Sequence, residues 1–189
     1  MPNIRDARIL IICTDGVEQA ELTTPRDELR KQGARVEVAT PTGGKVRAWK
    51  FTDWGETQPA DLKIADAKCR DYDALVIPGG VINPDKLRVD QDAMRMVRDF
   101  LNSGMLVAAI CHGPWLLVQA DACEGRRMTS YHSIRKDVEN AGADWVDDEV
   151  VFDDSGIITS RNPNDLPAFV AKIAEKIEQG GRYQRAAAE

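Results

Sequence analysis

The sequence predicts an α/β fold: a three-layer sandwich with a mostly parallel sheet, built around a nucleophile elbow. Three observations carry this. Short apolar runs alternate with helix-like stretches along the chain, the pattern of β–α–β units. The runs Arg8–Cys13, Tyr72–Pro78 and Met105–Ile110 are largely apolar without polar alternation, as strands buried on both faces are. The third run leads into Cys111-His112-Gly113-Pro114. Ala109-x-Cys111-x-Gly113 has the small-x-nucleophile-x-small spacing of a sharp strand-to-helix turn, with Cys in the place more often held by Ser.

Taken in order, Arg8–Cys13 reads as a strand and Thr14-Asp15-Gly16 as the turn after it. A helix over Val17 to about Gln32 has Leu22 and Leu29 on one face, with Gly33 as its C-cap. Arg35–Thr40 alternates as a strand should, and Pro41–Gly44 is a loop. This completes a βαβ unit, which implies a parallel sheet and a right-handed crossover. Residues 45–70 read as an antiparallel excursion, with strands at Lys45–Lys50 and Leu62–Ile64 and a turn at Asp53-Trp54-Gly55. Tyr72–Pro78 is a buried strand ending in Gly79-Gly80. Pro84 to Asn102 is a helix whose Ala93, Val97, Phe100 and Leu101 form an apolar stripe. After the Cys111 strand come helices at Pro114–Ala122 and Ser133–Asn140. Trp145–Phe152 and Gly156–Thr159 are strands joined across Asp153-Asp154-Ser155. The last helix, about Asp165–Gln179, carries apolar residues at helical spacing. Gly180-Gly181 stops it, and residues 182–189 read as a frayed tail. No repeat or linker divides the 189 residues, which suit one domain.

Composition narrows the partners. A net charge of −6 and a pI near 5.1 argue against nucleic acid or an acidic membrane held by bulk charge. The N-terminal stretch lacks the features of a signal peptide, and no apolar run reaches membrane-spanning length, so a cytoplasmic protein is expected. Cys13, Cys69, Cys111 and Cys123 follow no metal-ligand spacing and read as free thiols. The acidic run Asp144–Asp154 does not match a calcium loop. Neither a metal nor a cofactor is called for. Gly79-Gly80 is not part of a G-x-G-x-x-G fingerprint and has no P-loop lysine.

In an α/β sheet the site lies beyond the carboxyl ends of the strands. Three loops should converge there: Thr14–Glu21, Gly79–Asp85 and Cys111–Trp115. Cys111 is the nucleophile, and the dipole of the helix after it should lower its thiol pKa. His112 is either a proton acceptor or a donor of its backbone N–H to an oxyanion. Glu18 and Glu21 follow the first strand, and one of them should face the sulfur. A carboxyl there would be protonated and able to shuttle protons. The N–H groups at Gly79-Gly80 and His112 suit an oxyanion hole. Asp85 is a first-turn acid of the next helix.

The run Ala108–Pro114 resembles the elbow of the DJ-1/PfpI superfamily, closest to its PfpI-type intracellular proteases and general stress proteins. Asp15–Leu22, Ala74–Gly80, Thr129–Tyr131, Asn140–Asp147 and Thr159–Pro163 are similar to further motifs of that family. The resemblance implies a flavodoxin-like sandwich that forms dimers or larger rings. It implies a Cys111 nucleophile paired with Glu18, beside the oxyanion hole that the Gly80 and His112 N–H groups suggest. It further implies a protease triad in which His112 is oriented by an acid of a neighbouring subunit, here Asp85, one methylene shorter than the family's glutamate. Gly79, Trp115, Tyr131 and Arg161 are expected along the substrate cleft.

The resemblance implies a stress-protective cysteine hydrolase acting on a peptide, on methylglyoxal or on early glycation adducts. A peroxide sensor built on Cys111 is the alternative. A glutamine amidotransferase would need a downstream His-x-Glu pair. No histidine follows His132, and Ser133-Ile134 comes after it.

Overall fold

A computed structural model describes residues 3–180. The frayed-tail expectation for residues 182–189 lies outside them. The chain lays down β1 (Arg8–Ile12), α1 (Gln19–Lys31), β2 (Arg35–Thr40), β3 (Val46–Lys50), β4 (Asp53–Gln58) and β5 (Leu62–Lys63). Then come β6 (Ala74–Ile77), α2 (Ile82–Leu87), α3 (Gln91–Asn102), β7 (Leu106–Ile110), α4 (Trp115–Gln119) and β8 (Arg127–Met128). α5 (Arg135–Asn140), β9 (Asp144–Trp145), β10 (Val150–Asp153), β11 (Ile157–Ser160) and α6 (Leu166–Glu178) complete it.

The central sheet has the order β10-β11-β7-β6-β1-β2-β5. Every neighbouring pair in it is parallel except β10 with β11. Alternate residues of each strand enter opposite layers. Ile9 and Ile11 pack with Leu22 and Leu29 of α1 and with Phe169, Ile173 and Ile177 of α6. Leu10 and Ile12 pack with Val97 and Phe100 of α3, Leu116 and Leu117 of α4 and Val138 of α5. Both faces are thus covered, which is why the parallel strands carry no polar alternation.

Three local expectations differ from the structure. The helix predicted over Pro84–Asn102 is two helices, because Asp90 leaves the helical conformation and caps α3 by accepting the Ala93 N–H. Asp53-Trp54-Gly55 is not a turn but the start of β4; the β3–β4 turn falls at Phe51-Thr52. The strand predicted over Trp145–Phe152 is two pieces. β9 pairs with β8 in a separate small sheet, and only β10 joins the central one.

Chain direction sets where a site can lie. From β1 the chain moves outward to β2, then returns to place β6 on the other side of β1. The carboxyl ends of β1, β6 and β7 therefore open into a crevice at a topological switch point.

Candidate active site

Cys111 follows β7 directly and has φ +63°, a left-handed backbone rarely held by a residue with a side chain. Flanking contacts hold it there. Its N–H donates to the Ser160 carbonyl at 3.0 Å, and its own carbonyl accepts the Tyr131 N–H at 2.8 Å. Gly113 lets the turn close: a Cβ there would lie 2.6 Å from the Ile77 carbonyl oxygen and 2.9 Å from that of Ile110. This is the elbow that the small-residue spacing predicts.

A cleft of about 700 Å³ lies over the sulfur, lined by Glu18, Glu21, Trp49, Phe51, Cys111 and Tyr131 among others. The backbone N–H groups of Gly80 and His112 lie near Sγ and favour its charged form, so the pair expected to hold an oxyanion converges on this sulfur. The His112 ring does not diverge from its neighbour as side chains at a tight turn often do. Its Nδ1 is 3.2 Å from Sγ, and its Nε2 is 3.1 Å from the Ser133 hydroxyl. The ring stacks on Tyr131 at 4.8 Å between centroids. Burial, and then the nearby His132, push its pKa down to about 4, so it is neutral at pH 7.

The carboxyl at the sulfur is that of Glu21, not Glu18. Glu21 stands in the first turn of α1, fully buried, with its carboxyl close enough to the Cys111 thiol for each to shift the other's pKa. Its Oε2 accepts the Gly79 N–H at 2.7 Å. Glu18 precedes α1 with an extended backbone, so its side chain leaves the helix axis sideways. It lines the same cleft, and its Oε2 accepts the Phe51 N–H at 3.2 Å. Burial pushes Glu21 up to about 8, against the Gly79 N–H and the thiol.

The expectation of a lowered thiol pKa is also overturned. Burial and the neighbouring Glu21 carboxylate push Cys111 up, and the Gly80 and His112 N–H groups only partly oppose them. α4 spans just five residues, too short to build a large dipole. Two neighbouring acids in a buried site cannot readily both ionise. They titrate as one pair, and the thiolate forms when a proton remains on Glu21.

The other expected residues are dispersed. Tyr131 lines the cleft. Gly79 lies behind it and serves through its N–H to Glu21. Trp115 backs His112 edge-on at 5.2 Å, with its Nε1–H donated to Asp137 at 2.8 Å. Arg161 is not in the cleft. It lines an adjoining cavity of about 300 Å³, where it pairs with Asp147 at 2.8 Å and Asp165 at 2.9 Å. Asp85 is exposed on α2 and contributes nothing to the cleft within this chain. Sequence reasoning missed Ser133, Trp49 and Phe51. Among the described residues, no three His, Cys, Asp or Glu side chains are grouped to hold a metal, and no helix is long and apolar enough to cross a membrane.

The family model for the DJ-1/PfpI family matches residues 7–176. The chain belongs to the DJ-1/PfpI family. This member is 44% identical over 162 residues to Protein/nucleic acid deglycase 2 of Escherichia coli K12, covering 86% of this chain and 92% of that one. It is 41% identical to General stress protein 18 of Bacillus subtilis over the same shares of the two chains. The crystal structure of Drosophila melanogaster DJ-1beta matches it with a TM-score of 0.81 at 30% identity, over 92% of this chain and 95% of that one.

Proposed function

We propose that the chain is a cysteine-dependent hydrolase of the deglycase or glyoxalase III type, acting on methylglyoxal and on its early adducts with amines. The observation that carries this reading is the buried Glu21 carboxyl beside the Cys111 thiol, with the Gly80 and His112 N–H groups near the same sulfur. That set supplies a nucleophile, a proton carrier and oxyanion donors around one atom.

For methylglyoxal, Sγ bonds to the aldehyde carbon as the thiol proton passes to His112 Nδ1. The carbonyl electrons move to oxygen, which takes the Glu21 proton. Glu21, now a carboxylate, removes the proton from the carbon bearing sulfur while His112 protonates the ketone oxygen, giving an enediol. The enediol hydroxyl beside sulfur then gives its proton to His112, and Glu21 returns a proton to the neighbouring carbon. The product is a thioester of lactate. Water then cleaves the C–S bond, its oxygen bonding to the acyl carbon and a proton going to sulfur, which releases lactate and the thiol as the His112 proton returns to Glu21. One carbon is oxidised and its neighbour reduced, so no external oxidant is needed. For an amine adduct, Sγ bonds to the carbon as the thiol proton passes to His112 Nδ1, the C–N bond breaks, and the amine departs with the Glu21 proton, leaving the same sulfur adduct.

A peptidase is less well supported within one chain, because His112 Nε2 meets the Ser133 hydroxyl and not a carboxylate. Asp85 would complete such a triad only from another copy of the chain in a homo-oligomer. A second reading is a peroxide sensor: a protonated Glu21 and two N–H groups would hold oxygens added to sulfur. Intact-mass spectrometry after mild peroxide tests it, and no selective oxygen gain at Cys111 counts against it. The relative named as a general stress protein supports a protective role, which we place in the cytoplasm. The main test is Cys111→Ser: methylglyoxal consumption and lactate release should vanish, and full activity in that variant sinks the proposal.

A further inference from the structure

Once Glu21 holds the place beside sulfur, a second buried carboxyl is left in the cleft with no task. Glu18 is only 6% exposed yet lines the cleft. Its Oε2 accepts the Phe51 N–H, the Gln19 and Ala20 N–H groups at the start of α1 also favour its charge, and Oε1 makes no hydrogen bond of good geometry. A buried unpartnered carboxylate oxygen costs free energy unless something donates to it. The structure invests in holding it there. Phe51 has φ +57°, the left-handed region, in a side-chain-bearing residue 67% exposed at the tip of the β3–β4 hairpin. That hairpin is fastened to the loop before α1 and to the first residue of α1. The Trp49 N–H donates to the Val17 carbonyl at 2.7 Å, the Arg47 N–H to Asp15 at 2.7 Å, and the Glu56 N–H to Gln19 at 2.8 Å.

The cleft's charge points the same way. Glu18 and Glu21 are its acidic residues, and among the described residues no lysine or arginine lines it. The ring systems of Trp49, Phe51 and Tyr131 stand around them, and aromatic faces attract cations. An anionic substrate would find no counter-charge, whereas an amine or ammonium would find the Glu18 carboxyl and the aromatic rings.

We infer that Glu18 is a specificity residue: it accepts an N–H from the amine portion of the substrate, so the cleft selects cationic amine adducts over neutral or anionic carbonyl compounds. This rests on the reading of Cys111 as the nucleophile, and it places the departing amine between Glu18 and the aromatic wall. It separates the two carboxyls by task, Glu21 moving protons and Glu18 reading the amine.

The test uses unreactive probes, so it does not depend on turnover. Isopropanolamine and propylene glycol share a carbon skeleton and differ in an amine against a hydroxyl. Calorimetric titration of the unmodified protein should show about tenfold tighter binding of the amine, the worth of one hydrogen bond to a charged group in an open cleft. Glu18→Gln should abolish the preference, with a thermal midpoint no lower than that of the unmodified protein. Should that variant not fold, Glu18→Asp draws the carboxylate back by one methylene and should cut the preference to about threefold or less. Equal binding of the two probes to the unmodified protein overturns the assignment. So does a preference that survives in a folded Glu18→Gln or is undiminished in Glu18→Asp. Absence of turnover by the unmodified protein would instead overturn the hydrolase reading, with the binding result unaffected.

Discussion

Glu21→Gln should make the protein more stable, and by an amount that depends on pH. The Glu21 carboxyl has its pKa raised from 4.5 to about 8, chiefly by burial. Below pH 4.5 both folded and unfolded chains hold the proton and nothing is lost. As pH rises from there the unfolded carboxyl ionises while the folded one stays protonated, so the unfolded state binds fewer protons and stability falls. The fall is complete as pH passes the folded pKa. At about 1.4 kcal/mol per tenfold in proton affinity, the full penalty is about 5 kcal/mol. Gln has nearly the same shape, is neutral throughout, and keeps an oxygen for the Gly79 N–H. The gain from Glu21→Gln should therefore grow from about 1 kcal/mol near pH 5 to about 4 kcal/mol near pH 8. Urea denaturation of both proteins at the two pH values reads this directly, because the titrations they share cancel in the difference. The same substitution removes the proton carrier and should cut turnover about a hundredfold or more. A stability difference that does not change between the two pH values would refute the assignment of a raised pKa to Glu21. Full activity would refute its role in proton transfer.

Two further outcomes follow from the elbow and the histidine. Cys111 holds φ +63°, so Cys111→Gly should be about 1 kcal/mol more stable than Cys111→Ala by chemical denaturation, since glycine takes that conformation freely; equal stabilities would argue against strain at the elbow. Ser133→Ala removes the hydroxyl 3.1 Å from His112 Nε2 and should lower kcat/KM about fivefold, the worth of one orienting hydrogen bond, while the thermal midpoint stays put; an unchanged kcat/KM would show that Ser133 does not orient the ring.

Some of the site could be read in the chain because it is local. The elbow needs only a strand, a cysteine and small residues two positions away on either side. The choice between Glu18 and Glu21 was also readable in principle. Leu22, Pro25 and Leu29 mark the buried stripe of α1, and Glu21 lies on that stripe, one turn before Pro25. A carboxyl on a helix's apolar face is the sign of a buried acid, whereas Glu18 sits before the helix begins. Ser133 offered no such sign. It is an ordinary serine 21 positions from the histidine it contacts.

By itself the sequence determined the layered α/β architecture, the strand that carries Cys111 and the turn that presents it. Each follows from hydrophobic periodicity and backbone sterics, which act over a few residues. Only the tertiary structure decided which acid meets the sulfur, that Arg161 belongs to a neighbouring cavity, and that the β3–β4 hairpin walls the cleft with Trp49 and Phe51. It also decided the sign of the thiol's pKa shift. A dipole argument along the chain favoured a lowered value, but desolvation and a facing carboxylate depend on what the fold packs around the sulfur. They come from α1 and the Gly79-Gly80 loop, far from Cys111 in sequence.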